Sequence, residues 1–266
     1  MVDMEKVQYY TINYKSISKF ESTLLNKITS ANLVIFGVQE AMRLTSFKRD
    51  AAHNLLTSLA NKGFVLRLFR NKYCLAESIA ENKFAISTTL FAPAYISFWA
   101  ALSFYGFTEQ HPQAVQVACT KQFKPIKLKE ITVLPITVKP ASFFGYFKEN
   151  GFSIASKEKA LVDSIMHIEQ IGFLEVIKCL KKAWPSLNHK MFFEYLFRVN
   201  NKSINSRVGY LTEELNLPIE TIFLKKLLKN SSKGFIKLNS MKPKTKLYNK
   251  KWKIIVNDNS EEEVIL

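Results

Sequence analysis

The sequence predicts an α+β protein, with an N-terminal winged helix-turn-helix followed by a larger mixed α/β domain. Three observations lead there. Apolar residues recur at helical spacing in three runs between Tyr14 and Lys62, and the last run closes on Gly63. Two β-prone runs follow at once around Arg70-Asn71-Lys72. Beyond Ala76, short β-rich runs give way to further helical periods. The expected division is therefore 1–76, an N-terminal extension with the winged helix-turn-helix, and 77–266, which ends in a lysine-rich segment. A chain of 266 residues that is 47% hydrophobic, with 8 Gly and 8 Pro, can bury a substantial core and is not a low-complexity polymer.

The first helix is expected over Tyr14–Ile28, from Ile17, Phe20, Leu24, Leu25 and Ile28. Phe36-Gly37 separates it from a short helix, Val38–Leu44. Thr45-Ser46 then offer hydroxyls that can accept the free amides of a third helix. That helix is expected to run to Lys62 and stop at Gly63, a residue suited to a left-handed cap. Its apolar stripe is Phe47, Ala51, Ala52, Leu55, Leu56 and Leu59; its polar face shows Arg49, Asp50, His53, Asn54 and Thr57. Phe64–Phe69 and Tyr73–Leu75 make a hairpin, in which Asn71 can take the positive φ that a tight turn needs.

In the second region, Ala94–Phe107 is expected to be helical. Val115–Cys119, Ile126–Leu128, Ile131–Leu134, Ile136–Val138 and Phe152–Ala155 are expected to be strands of a small antiparallel sheet. Ser156 can cap a helix carrying Glu158, Lys159 and Asp163, a polar cluster suited to fixing that helix against the sheet. Helices follow near 172–183, 189–198 and 206–215, then a helix, a loop and a strand, Trp252–Val256. The acidic tail Glu261–Glu263 is expected to be disordered.

Lys and Arg outnumber Asp and Glu by 38 to 22, a formal charge of +16. That field attracts polyanions but does not by itself separate DNA, RNA, an acidic membrane and a merely lysine-rich composition. The helix-turn-helix narrows the choice, since its third helix lies with its N-terminal residues against base edges. Arg49 can make paired bonds to guanine and Asn54 to adenine. The candidate DNA-contacting residues are Ser46, Lys48, Arg49, His53 and Asn54 at the helix, with Arg67, Arg70, Asn71 and Lys72 on the wing. Asp50 would repel phosphate and is expected to pair with Arg49 or to accept from a cytosine amine. Between Gly37 and Ala76 seven basic residues face two acids. From Lys225 to Lys253 there are eleven lysines and no acid, either a second polyanion contact or a solvated surface.

Other chemistries find little footing. Cys74, Cys119 and Cys179 lack the paired short spacing of a zinc site and fit a reducing, cytoplasmic setting. The four histidines are far apart. No nucleotide-binding glycine loop is present, so no metal and no cofactor is expected. Ser156-Lys157-Glu158-Lys159 satisfies an S-x-x-K string, but its companion motifs are missing. Glu81-Asn82-Lys83 matches the end of some nuclease motifs without a preceding strand Asp. Residues 84–108 are uncharged and long enough to span a bilayer, yet Pro93 and several hydroxyls divide them, favouring buried elements. Met1–Lys6 carries acids where a signal peptide would turn apolar.

Several segments, taken in order, resemble the AbiEi-type antitoxin family. They are Leu66–Tyr73, Ala94–Gln110 (AYISFWAALSFYGFTEQ), Ile154–Asp163 (IASKEKALVD), Arg207–Leu211 and Trp252–Asn257. The resemblance implies that the first domain represses its own operon by binding double-stranded DNA. It also implies that 77–266 is an antitoxin-type domain counteracting a nucleotidyltransferase-type toxin, with no stable complex required and no enzymatic activity of its own. Asn71 stands where that family's wing usually has glycine, and an extension of about thirty residues precedes the helix-turn-helix. Two other readings stay open: a nuclease targeted by a winged helix, and a winged-helix adaptor that binds protein only.

Overall fold

The computed structural model describes residues 16–258, and its contacts divide the chain into two compact units between Glu81 and Asn82. The acidic start Met1–Lys6, Tyr14 and the tail Glu261–Glu263 lie outside the described residues. The chain is an α+β protein.

The first unit holds α1 (Lys19–Ser30), α2 (Val38–Thr45) and α3 (Arg49–Asn61), followed by strands β1 (Val65–Phe69) and β2 (Lys72–Leu75). α1 starts at Lys19, later than its periodicity suggests, because Ser18 and Glu21 form a reciprocal capping box there. Leu24, Ile28, Phe36, Ala52, Leu56, Leu59 and Val65 are fully buried in one core. Glu21 ties α1 to α3: it accepts from Ser58 at 2.7 Å and from Lys62 at 2.7 and 2.8 Å.

The junction before α3 differs from expectation. Ser46 does not cap α3; it takes a left-handed φ of 60° and terminates α2, its amide donating to Met42 at 2.8 Å. The Thr45 hydroxyl donates to the Ala41 carbonyl at 2.7 Å and accepts from the Phe47 amide at 3.4 Å, ahead of α3 and not within it. α3 opens after extended Lys48, which supplies no side-chain cap. Of the expected stripe, Ala52, Leu56 and Leu59 are buried, Leu55 and Phe47 are half-buried, and Ala51 is exposed. Phe47 precedes the helix and meets Phe20 edge-on at 5.3 Å instead of entering the core.

β1 and β2 pair antiparallel through a two-residue turn, Arg70-Asn71, with a bulge between Arg67 and Phe69. Asn71 supplies the left-handed turn conformation, with φ 59°. Phe36 adds a bridge to Tyr73, with mutual amide–carbonyl bonds of 3.0 and 2.8 Å. That bridge draws the start of α2 onto the hairpin so closely that a Cβ on Gly37 would fall 2.3 Å from the Asn71 carbonyl oxygen.

In the second unit, α4 (Lys83–Leu90) leads to β3 (Ala94–Ile96) and α5 (Phe98–Phe104). The single helix expected over Ala94–Phe107 is thus a buried strand and a separate short helix. Ser97 turns the chain between them, its backbone extended at φ −148°. The uncharged stretch 84–108 is three elements, and among the described residues no helix is long and apolar enough to cross a membrane.

β4 (Ala114–Cys119), β5 (Ile126–Leu128), β6 (Ile131–Thr137), β7 (Tyr146–Glu149) and β8 (Phe152–Ala155) complete a six-stranded sheet in the order β5-β6-β4-β3-β8-β7. The sheet is mixed rather than antiparallel: β4 runs parallel to β6, and β3 parallel to β8. The two runs expected around Pro135 are one strand. The proline is tolerated because β5 pairs only as far as Val133, leaving an edge beyond it.

α6 (Lys157–Met166) follows, capped by Ser156, whose hydroxyl accepts from the Lys159 amide at 3.2 Å. Then come α7 (Phe173–Ala183), α8 (His189–Val199), α9 (Lys202–Glu214) and α10 (Thr221–Lys229). α9 starts ahead of the expected Ser206 because Asn201 caps it. The chain closes with a small sheet of β9 (Ile236–Lys237), β10 (Tyr248–Asn249) and β11 (Ile254–Ile255), in the order β10-β11-β9. Only Ile254–Ile255 of the expected strand 252–256 pairs as a strand. Trp252 instead buries its indole against α9, where a Cβ on Gly209 would fall 2.2 Å from the ring. Its Nε1 donates to Glu213 at 2.7 Å.

Candidate functional site

Two groups of side chains in the first unit carry charge to its surface. The first ring of α3 puts Arg49 beside the start of α2 and the hairpin turn. Together Gly37, Glu40, Arg43, Arg49, Asn71 and Lys72 line a cleft of about 740 Å³. Glu40 is turned back on its own helix and accepts from the Gly37 amide at 2.8 Å, which leaves the cleft's outward charge to the cations. Further along the hairpin, Arg67 and Arg70 are exposed, as are Ser46, Lys48, His53 and Asn54 on the helix side.

Among the described residues no acid forms an ion pair with Arg43, Lys48, Arg49, Arg67, Arg70 or Lys72. The expected Arg49–Asp50 pair is not formed; both side chains are exposed. Arg43, Arg49 and Lys72, gathered at one cleft without an ion-pair partner, raise the local positive potential, which phosphates would relieve.

The helix does not bring all its predicted contacts to one place. Arg49 and Asn54 are about 140° apart around α3 at 3.6 residues per turn. Asn54 lines a separate, shallower groove with Phe20, Phe47, Ala51 and Leu55. His53, about 40° from Arg49, projects between these flanks. Arg43 of α2 was missed as a site residue, although it lies one helix before the predicted face and belongs to the same run of basic residues.

The second unit contains a buried polar cluster. Lys159 and Asp163 sit one turn apart on α6 with side chains 0% and 1% exposed, and they form an ion pair. Asp163 also accepts from the Ser97 hydroxyl at 2.8 Å and from Tyr95 at 3.1 Å. The Lys159 ammonium lies 4.8 Å from the centre of the Phe144 ring, and Tyr146 stacks on Tyr95 at 4.7 Å. Burial and the adjacent Asp163 charge hold the Tyr95 phenol well above its ordinary range, so it stays a donor. Neighbouring Glu158 accepts from the Asn188 amide at 2.9 Å, joining α6 to the start of α8. The cluster is a joint between β3, α6 and α8, and its polar atoms are used on one another.

The remaining chemical candidates are likewise occupied or scattered. The S-x-x-K string resolves into a helix cap and the ion pair of Lys159. Cys74, Cys119 and Cys179 are buried; burial and then Glu175 push the Cys179 thiol up to about 12, away from a reactive thiolate. Glu81 is exposed ahead of α4, and among the described residues no group of three or more His, Cys, Asp or Glu could hold a metal ion.

No family model matches the chain, and no curated protein matches it. Among solved structures it is similar to that described as "Crystal structure of RV2827C protein from Mycobacterium tuberculosis". The TM-score is 0.63 at 12% identity, over 90% of this chain and 92% of that one. At that identity the likeness is one of fold.

Proposed function

We propose that the first unit acts as a winged helix-turn-helix that binds double-stranded DNA through the N-terminal turn of α3 and the hairpin. The carrying observation is the convergence of Arg43, Arg49, Asn71 and Lys72 on one cleft, with Arg67 and Arg70 exposed on the same hairpin and none of these cations paired. In this reading Arg49 and His53 face base edges, while Arg67, Arg70, Asn71 and Lys72 hold the hairpin on the phosphates. Asn54 contacts the duplex only if the groove beside it also faces DNA.

The wider role we propose is that of a cytoplasmic autorepressor and antitoxin, acting without enzymatic activity against a nucleotidyltransferase-type toxin. It is supported by the AbiEi-like segments Ala94–Gln110 and Ile154–Asp163. They supply Tyr95, Ser97, Lys159 and Asp163, which form the joint at the centre of the second unit. A closed joint of this kind suits a domain that works by its surface rather than by turnover.

The test is binding of the full chain to a duplex from just upstream of its own gene and to a scrambled duplex, over a salt series. A preference that survives rising salt supports base readout. Equal and steeply salt-dependent binding to both overturns operator recognition and leaves a phosphate-gripping face only.

A further inference from the structure

The lysine-rich C-terminal segment is not uniformly solvated charge. Two aromatic rings stand exposed in it: Phe235, just before β9, at 45%, and Tyr248, in β10, at 48%. They meet edge to face at 5.1 Å, although their strands lie on opposite sides of β11. The Lys253 ammonium sits 5.3 Å from the centre of the Phe235 ring. Lys246 and Lys250 flank Tyr248 two residues away on either side, both exposed.

Of the eleven lysines between 225 and 253, only Lys242 and Lys251 form ion pairs among the described residues, with Asp258 and Glu213. Leu247, beside Tyr248, and Met241 are exposed as well, so the rings stand in an apolar patch set among lysines. Exposed π faces set among unpaired cations match one ligand chemistry: bases available for stacking, joined by phosphates. In a duplex those base faces are already covered by their neighbours, so the partner is a single strand or an unpaired loop.

We propose that the small sheet formed by β9, β10 and β11 is a second nucleic-acid site, distinct from the duplex-binding face of the first unit. It takes unpaired nucleotides by stacking on Phe235 and Tyr248, the Lys253 ammonium leaving the Phe235 ring to join Lys246 and Lys250 on the phosphates. The inference does not depend on the antitoxin reading.

The experiment uses the full chain and follows the anisotropy of labelled oligouridine, labelled oligothymidine and a labelled duplex. Phe235→Ala and Tyr248→Ala are each expected to weaken single-strand binding by about 5- to 150-fold, the range of one lost base stack. Both should leave duplex binding unchanged. Tyr248→Phe keeps the ring and should keep the affinity. Phe235→Leu keeps the apolar volume but not the π face and should lose it, which keeps the test decisive if an alanine variant folds poorly. Arg49→Ala with Arg70→Ala should show the converse pattern. A difference between the two oligomers tells RNA from DNA as the source. Failure of the wild-type chain to bind single strands would overturn the proposal. So would ring variants that bind like wild type, or tighter attachment to phosphatidylserine vesicles than to either oligomer.

Discussion

The carbonyl oxygen of Asn71, at the hairpin turn, stands 2.3 Å from the place a Cβ on Gly37 would occupy. Nothing flexible separates the two, since both are main chain, so any side chain at 37 must move the hairpin or the start of α2. Gly37→Ala is expected to cost about 1–3 kcal/mol in a denaturant melt, the usual range for overpacking. Because Asn71 and Lys72 move with the hairpin, duplex affinity should fall too. Unchanged stability would mean that the contact is looser than the geometry requires.

Arg49 and Lys72 share a cleft but have different expected tasks. Arg49→Ala should cost about 1–3 kcal/mol on the preferred duplex and flatten the preference among sequences. Lys72→Ala should weaken all duplexes alike and reduce the slope of log affinity against log salt by about one. Side-by-side titrations of the two variants on matched and scrambled duplexes separate the roles; interchangeable behaviour would remove Arg49 from base readout.

Acid should loosen the first unit through Glu21. Burial pushes its carboxyl up, but the bonds from Lys62, Ser58 and Ser18 outweigh it and hold it down at about 2. A carboxylate depressed in the folded state lends stability that is complete above its unfolded value. That stability fades as pH falls from about 4.5 toward 2. A displacement of this size is worth about 3 kcal/mol. Stability measured against pH should show that decline in the wild type, and Glu21→Gln should be less stable at neutral pH and flatter across the same window.

The joint in the second unit should tolerate removal of both charges better than removal of one. Asp163→Asn strands the buried Lys159 ammonium and should cost about 3–5 kcal/mol. Lys159→Met combined with Asp163→Leu removes the stranded charge and should recover part of that loss, though Ser97 and Tyr95 then lack their acceptor. A double variant worse than the sum of the singles would count against the pair as the centre of the joint.

How much could be read from the chain depended on whether the relevant force was local. Asn71 was legible as a positive-φ turn residue and Ser156 as a cap, because each acts on backbone within three residues of itself. Ser46 misled for the same reason: a hydroxyl before a helix looks like a cap, but here the residue's left-handed backbone ends α2. β3 was missed because Ala94, Tyr95 and Ile96 are all buried, and a fully buried strand has no alternation to distinguish it from a helix. β7 was missed despite a usable sign, Asn150-Gly151, whose φ values of 44° and 88° form the turn into β8. At the sites, exposure of the basic residues followed from composition. The assembly of Arg43 with Lys72, and of Phe235 with Tyr248, depends on pairings between distant strands and helices that periodicity does not encode.

The fit of Trp252 into the notch left by Gly209 has a consequence for synthesis. The neighbours of α9 include a residue made more than forty positions later, so this helix cannot finish packing until the ribosome has nearly completed the chain. The buried cluster of the first unit, by contrast, draws on no residue later than Leu75. During translation the core of the first unit can therefore form while the second unit is still waiting for its last indole.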